Sequence, residues 1–161
     1  MGSDLTLPVD GGFVNLRVGA IILKDGRFLM VGNDSMPYYY SVGGRIRFGE
    51  TAEQAIVREV EEETGARLEI ERLGFIEENF FFGDTPHRQG RLIYELSFYF
   101  YMKTPPDFEP VCGSFTEFGV SERLEWVGPE TEKTIYPSFF RTELADPKPW
   151  VRHIVTDDRI L

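Results

Sequence analysis

The chain has 161 residues, of which 42% are hydrophobic and 27% charged, and its formal net charge is −10. That length suits one domain, residues 1–161, with a core of its own, and is short for two. So acidic a surface repels duplex DNA and RNA, which excludes bulk nucleic acid as a partner but not small phosphorylated molecules, provided a metal ion reverses the sign of the site.

The first residues, MGSDLTLPVD, have no basic stretch leading into an apolar one. No run of about 18 apolar residues follows anywhere, so neither a secretory signal nor a membrane span is expected. FVNLRVGAIILKDGRFLMVG reads as two strands joined at Asp25-Gly26, a dipeptide suited to the positive φ angles of a tight hairpin. Val18, Ala20 and Ile22 alternate with Gly19, Ile21 and Leu23, so both faces of that strand should be covered. YYYSVGGRIRFG is a short β-rich piece broken by Gly43-Gly44 and Gly49.

A helix should start at Thr51, an N-cap with Gln54 completing a capping box, and stop at Gly65, suited to a left-handed C-cap. RLEIERLGFIEENFFF and GRLIYELSFYFYM read as long strands around the turn GDTPHRQ. Residues 104–121 carry three prolines and the single cysteine, Cys112, and have no periodicity, as a long functional loop would. One cysteine permits no internal disulfide and, with two histidines, no closed zinc site, which fits a reducing cytoplasm. RLEWVG is a short strand, PETEKTIYPSFFRTELAD is helix-prone around its prolines, and PKPWVRHIVTDDRIL adds a last strand. Strands on either side of a helix, then further strands and a late helix, give a layered α/β fold.

The segment REVEEET, residues 58–64, crowds four carboxylates into seven positions. On a helix Glu59, Glu62 and Glu63 are neighbours and Glu61 points elsewhere; each close pair costs roughly 0.2–0.5 kcal/mol in repulsion. Glu59 and Glu63 flank the stripe made by Ile56 and Val60, where poor solvation aggravates that cost. Arg58 reaches Glu62 at i,i+4, yet one guanidinium cannot neutralise three acids. Two readings stand at this point: a solvated helix face, or a site for a hard divalent cation that takes carboxylate oxygens.

The upstream spacing separates them. From Gly44 the chain reads GRIRFGETAEQAIVREVEEETGA, or G-x5-E-x7-R-E-V-x-E-E-x-G-A. This resembles the Nudix box, G-x5-E-x7-R-E-U-x-E-E-x-G-U with U a bulky aliphatic residue. The seven fixed positions match at Gly44, Glu50, Arg58, Glu59, Glu62, Glu63 and Gly65; Val60 fills the first U and the smaller Ala66 the second. With each residue type near the roughly 7% frequency of Gly, chance agreement at seven positions is negligible. The resemblance covers residues 44–66.

Resemblance to the Nudix hydrolases implies an α/β/α sandwich with a mixed β-sheet, and Mg²⁺- or Mn²⁺-dependent cleavage of a pyrophosphate linkage in a nucleoside diphosphate derivative. It implies metal-binding roles for Glu59, Glu62, Glu63 and the Gly43 carbonyl. Arg58 then orients the glutamates, and Glu50 supports the loop–helix junction with Gly44 and Gly65. Val42 stands where the family often has proline, so the loop entry differs. The proton acceptor varies within the family; Glu125, just before Trp126, is one candidate, with Glu117 and Glu122 as alternatives. Arg45 and Arg47 alternate along a strand and either face phosphates together or lie solvated at an edge. Tyr40 and Phe82, from the runs at 38–40 and 80–82, either stack on a base or pack in the core. His87, Arg88 and Arg91 read as a surface loop or as substrate contacts. No SQPWPFP-like segment of the NADH-cleaving members occurs. The expected partner is a small nucleotide, and homodimers are frequent in the family. The alternative function is a regulatory Nudix domain that binds nucleotide without turnover, a class that commonly has a degenerate box or an added DNA-binding domain.

Overall fold

The computed structural model describes residues 2–111 and 121–159. Its strands are β1 (Thr6–Val9), β2 (Gly12–Ile21), β3 (Leu23–Lys24), β4 (Arg27–Asn33), β5 (Tyr38–Arg45), β6 (Ile70–Phe82), β7 (Leu92–Met102), β8 (Glu122–Val127), β9 (Thr134–Tyr136) and β10 (Arg152–Asp157). Two helices, α1 (Ala52–Thr64) and α2 (Phe140–Glu143), complete the described elements. The sheet runs β10-β6-β7-β2-β5-β4-β3, with β1 on β2, β8 on β4 and β9 on β5. It is mixed: β2–β7, β10–β6 and β5–β9 are parallel and the other pairs antiparallel.

Alternation along β2 sets the two layers. Val18, Ala20 and Ile22 enter one core with Val42 of β5 and with Ala55, Ile56 and Val60 of α1. Ile21 enters the other, with Phe75, Tyr99, Met30 and Phe140 of α2. One helix therefore lies on each face of a mixed sheet. The α2 face is closed by aromatics: Phe139 packs at 4.8 Å from Phe75 and 5.5 Å from Tyr99, ring to ring.

Local chemistry explains the boundaries. Asp25 (φ 53°) and Gly26 (φ 75°) take the left-handed conformations that close the β3–β4 hairpin. Thr51 and Gln54 form the reciprocal capping box, and Gly65 (φ 76°) ends α1 with its N–H on the Glu61 carbonyl. Residues 129–146 depart from the helix-prone reading. They give β9 and only four helical residues in α2, because the strand pairs with β5 and Phe140 is spent plugging the second core. Within the predicted loop, Phe108 is buried edge-on against Trp126; Cys112 and Glu117 lie outside the described residues.

Candidate active site

α1 turns Ala55, Ile56, Val60 and Thr64 inward, which carries Glu59 and Glu63, one turn apart, along the margin of that buried stripe. The Glu59 side chain is 15% exposed and that of Glu62 50%. Arg58 gathers the loop and helix. Its Nε donates to Glu50 Oε2 at 3.1 Å, and Nη2 donates to Glu50 Oε1 at 2.6 Å and to the Arg45 carbonyl at 3.1 Å. Nη1 donates to Glu59 Oε1 at 2.8 Å and to Glu62 Oε2 at 3.3 Å. All five guanidinium donors are thereby used, a demand lysine cannot meet. Glu50 also accepts from the Arg47 N–H at 2.8 Å, and Arg58 beside it holds its carboxyl below the usual range.

The double glycine lets the end of β5 approach these acids. Gly43 donates its N–H to Glu63 Oε2 at 2.8 Å. A Cβ on Gly44 would stand 2.5 Å from Glu59 Cδ, so only glycine leaves that carboxylate its place. Burial, foremost, and then the Glu59 charge push the Glu63 carboxyl well above the ordinary range, opposed by the Gly43 N–H. Burial also raises Glu59, with Arg58 opposing and Glu62 adding repulsion. Two partly desolvated acids thus share one niche, whereas Glu61 faces outward toward Arg67 at 3.5 Å.

A NUDIX domain model matches residues 14–151. The chain belongs to the Nudix family. It is 37% identical over 61 residues to an ADP-ribose pyrophosphatase of Methanocaldococcus jannaschii, covering 36% of each protein. It is 34% identical over 61 residues to a MutT-like protein of Streptomyces ambofaciens, covering 38% of this chain and 40% of that one. The matched stretch therefore spans well under half the length of these relatives. Among solved structures it resembles a MutT protein of Bacillus halodurans, with a TM-score of 0.59 at 16% identity over 86% of this chain and 89% of that one. A MutT Nudix hydrolase of Burkholderia pseudomallei gives 0.56 at 23% identity over 81% of this chain and 96% of that one. Identities this low show the shared fold alone.

Among the described residues of this Nudix chain, no three acidic, histidine or cysteine side chains are already grouped as a metal cage. The reason is visible in their partners: Glu59 and Glu62 lean on Arg58, Glu62 also stands 3.8 Å from Arg47, and Glu63 is taken up by Gly43. The donor set still suits a hard divalent cation, being carboxylate oxygens, two of them desolvated and mutually repelling. An open depression of about 820 Å³ runs along the outer flank of α1 between Glu50, Arg58, Glu62 and Arg67.

The other sequence candidates separate. Glu125 is opposite Met30 on the α2 face and is bound by the Tyr39 hydroxyl and by Arg123 at 2.9 Å, so it does not join the box acids. Glu122, three residues earlier and opposite Asn33, is on the α1 face, where its charge adds to that raising Glu63. Tyr40 donates to Glu122 and packs against the first core rather than presenting a free ring. Arg45 and Arg47 diverge. The strand ends between them, leaving Arg45 opposite Arg17 on the α2 face and Arg47 turned toward Asp4 and Glu62. Phe82 is half-exposed at the far end of β6, opposite Leu92 and seven positions along β7 from Tyr99, about 23 Å of strand. His87 is exposed, and Arg88 covers the Phe13 ring at 5.0 Å. Sequence reasoning missed Arg17, whose charge feels Glu95 most strongly and Glu59 and Glu63 as well. Its sequence signal is a lone cation inside a strand whose one other polar side chain is Asn15.

Proposed function

We propose that this chain is a divalent-metal-dependent pyrophosphohydrolase that cleaves a nucleoside diphosphate derivative by attack of water on phosphorus. The observation that supports it best is the pair Glu59 and Glu63. Both are partly buried beside one another and both resist ionisation, while Arg58 and Gly43 each hold one of their oxygens. A folding chain gains nothing from such a pair unless a cation completes it. The chain's similarity to an ADP-ribose pyrophosphatase agrees with a nucleotide substrate.

Glu59, Glu62, Glu63 and the Gly43 carbonyl would hold Mg²⁺ or Mn²⁺. When bound, such an ion offsets the phosphate charge and makes a water more acidic. The remaining work belongs to the chain. Arg58 keeps the carboxylates oriented from the side away from the niche, and Glu50 anchors Arg58 to the loop. Glu122, on the α1 face, is better placed than Glu125 to take the proton from the attacking water. Residues 1–161 act as one domain, consistent with ten strands joined in one sheet, and a reducing cytoplasm suits the single cysteine.

Glu59→Gln and Glu62→Gln test this directly. Each should lower kcat at least about 100-fold on the best nucleotide substrate while leaving the circular dichroism spectrum unchanged. Wild-type turnover by both variants would refute the assignment.

A further inference from the structure

On the face opposite α1, beyond the aromatic plug around Tyr99, the sheet turns polar for two successive rungs. The first rung is Thr6, Asn15, Glu95 and Asn79, on β1, β2, β7 and β6 in register. The second is Arg45, Arg17, Ser97 and Glu77, on β5, β2, β7 and β6. Beyond them the face becomes apolar again with Phe13 and Ile93. A polar belt in the middle of a sheet face needs internal partners, and here they fall short. Among the described residues, Thr6 Oγ1, Asn15 Oδ1, Asn79 Oδ1 and Arg45 Nε are buried atoms without a hydrogen bond. Asn15 is 1% exposed, and its Nδ2 is already given to Glu95 Oε2 at 3.0 Å.

The belt has a polarity. At the β5–β2 end stand Arg45 and Arg17, with Arg88 folded over Phe13 beside them. Arg17 stands 4.0 Å from Glu95, whereas the buried Arg45 Nε has no acceptor among the described residues. The β7–β6 end offers acceptors instead, Glu95, Asn79 and the buried Glu77, which already takes the Thr156 hydroxyl at 2.8 Å. Three strand spacings separate the ends, about 14 Å, and the rungs lie about 7 Å apart. Arg17, one-third exposed, and the partly exposed Arg45, Glu95 and Asn79 form the approach from solvent.

We propose that this belt is a ligand site for a phosphorylated sugar, with the phosphate on the arginines and the hydroxyls on Asn15, Glu95 and Asn79. A polyol phosphate supplies what each orphan lacks: hydroxyl donors for the two amide oxygens, and acceptors for Arg45 Nε and the Thr6 hydroxyl. The site lies on the other face of the sheet from the box acids, so it does not depend on the hydrolase reading.

The test is a titration of the 161-residue, metal-free chain with ribose 5-phosphate, followed by backbone amide NMR, with inorganic phosphate and ribose as controls. Ribose 5-phosphate should shift amides of β1, β2, β6 and β7. Arg17→Gln and Asn79→Leu, both at partly exposed positions, should each weaken it at least about tenfold. Glu62→Gln, which removes turnover in the reading above, should bind unchanged. The proposal is overturned if no belt amide moves at millimolar ligand, the orphans then being met by water. It is equally overturned if inorganic phosphate binds as tightly as the sugar phosphate, or if the shifts vanish in Glu62→Gln.

Discussion

Arg58 carries more of the site than its charge alone would suggest. Three of its five donors reach Glu50 and the Arg45 carbonyl and the other two reach Glu59 and Glu62, so the loop at Glu50 and the acids at 59 and 62 are held together. Arg58→Lys keeps the charge and loses the fork. It should lower kcat by about 10–100-fold, as loss of an orienting partner typically does, with a smaller change in the melting temperature. The acids themselves give a pH signature. Burial raises Glu59 and Glu63 in the fold, so the folded state holds protons that the unfolded chain has released. Their contribution to the stability of the metal-free protein is therefore fullest at or below the ordinary carboxylate range, about pH 4.3, and declines as pH rises toward their folded values, against the opposite contribution of carboxylates such as Glu50 and Asp157 that are held below that range. Melting curves in chelator from acid to neutral pH should show that decline as the difference between the unaltered protein and Glu63→Gln. Glu63→Gln should flatten it, and added Mg²⁺ should oppose it, since the cation binds the ionised form. Buried Glu77 titrates in the same direction and leaves a residual slope.

At the scale of elements, the two glycines entering the box do different things. Gly43 has φ 154°, and a Cβ there would overlap the Val18 carbonyl and stand 2.9 Å from Gly19 Cα, so Gly43→Ala pushes backbone against backbone. A loss of about 1–3 kcal/mol in folding stability is expected from denaturant melts. A Cβ at Gly44 meets only the end of the Glu59 side chain. Gly44→Ala should therefore keep most of the stability and lose activity, the opposite pattern. α1 itself was legible from sequence because its signals are local: the Thr51–Gln54 box, the Gly65 stop and a 3.6-residue spacing that sets Glu59, Glu62 and Glu63 relative to the core. Placement of Glu122 and Glu125 was not legible. Which face each takes depends on the β4–β8 register, Asn33 against Glu122 and Met30 against Glu125, and no local signal reports a register between strands some 90 residues apart.

For the whole molecule, the sheet is assembled by long-range parallel pairs, β2 with β7 and β10 with β6, whose existence the turn signals could not announce. The hairpin at Asp25-Gly26 and the long strands β6 and β7 could be read; their neighbours, the short β9 and the plug at Phe139 and Phe140 could not. They are fixed by what fills the second core rather than by period. Both faces are held by helices of very different size, and it is α1 that carries the box acids. Ile56, fully buried where α1 meets the sheet, should cost about 2–5 kcal/mol when cut to alanine, and the site should fail with the fold. The central claim is narrower than the fold: that these box acids run metal-dependent attack of water on phosphorus. Its most direct test is turnover of nucleoside triphosphates, nucleotide sugars and dinucleotides in isotopically labelled water, with and without Mg²⁺ or Mn²⁺. The label should appear on a product phosphate only when the cation is present. Product formed equally well in chelator, or label absent from every phosphate, would contradict it.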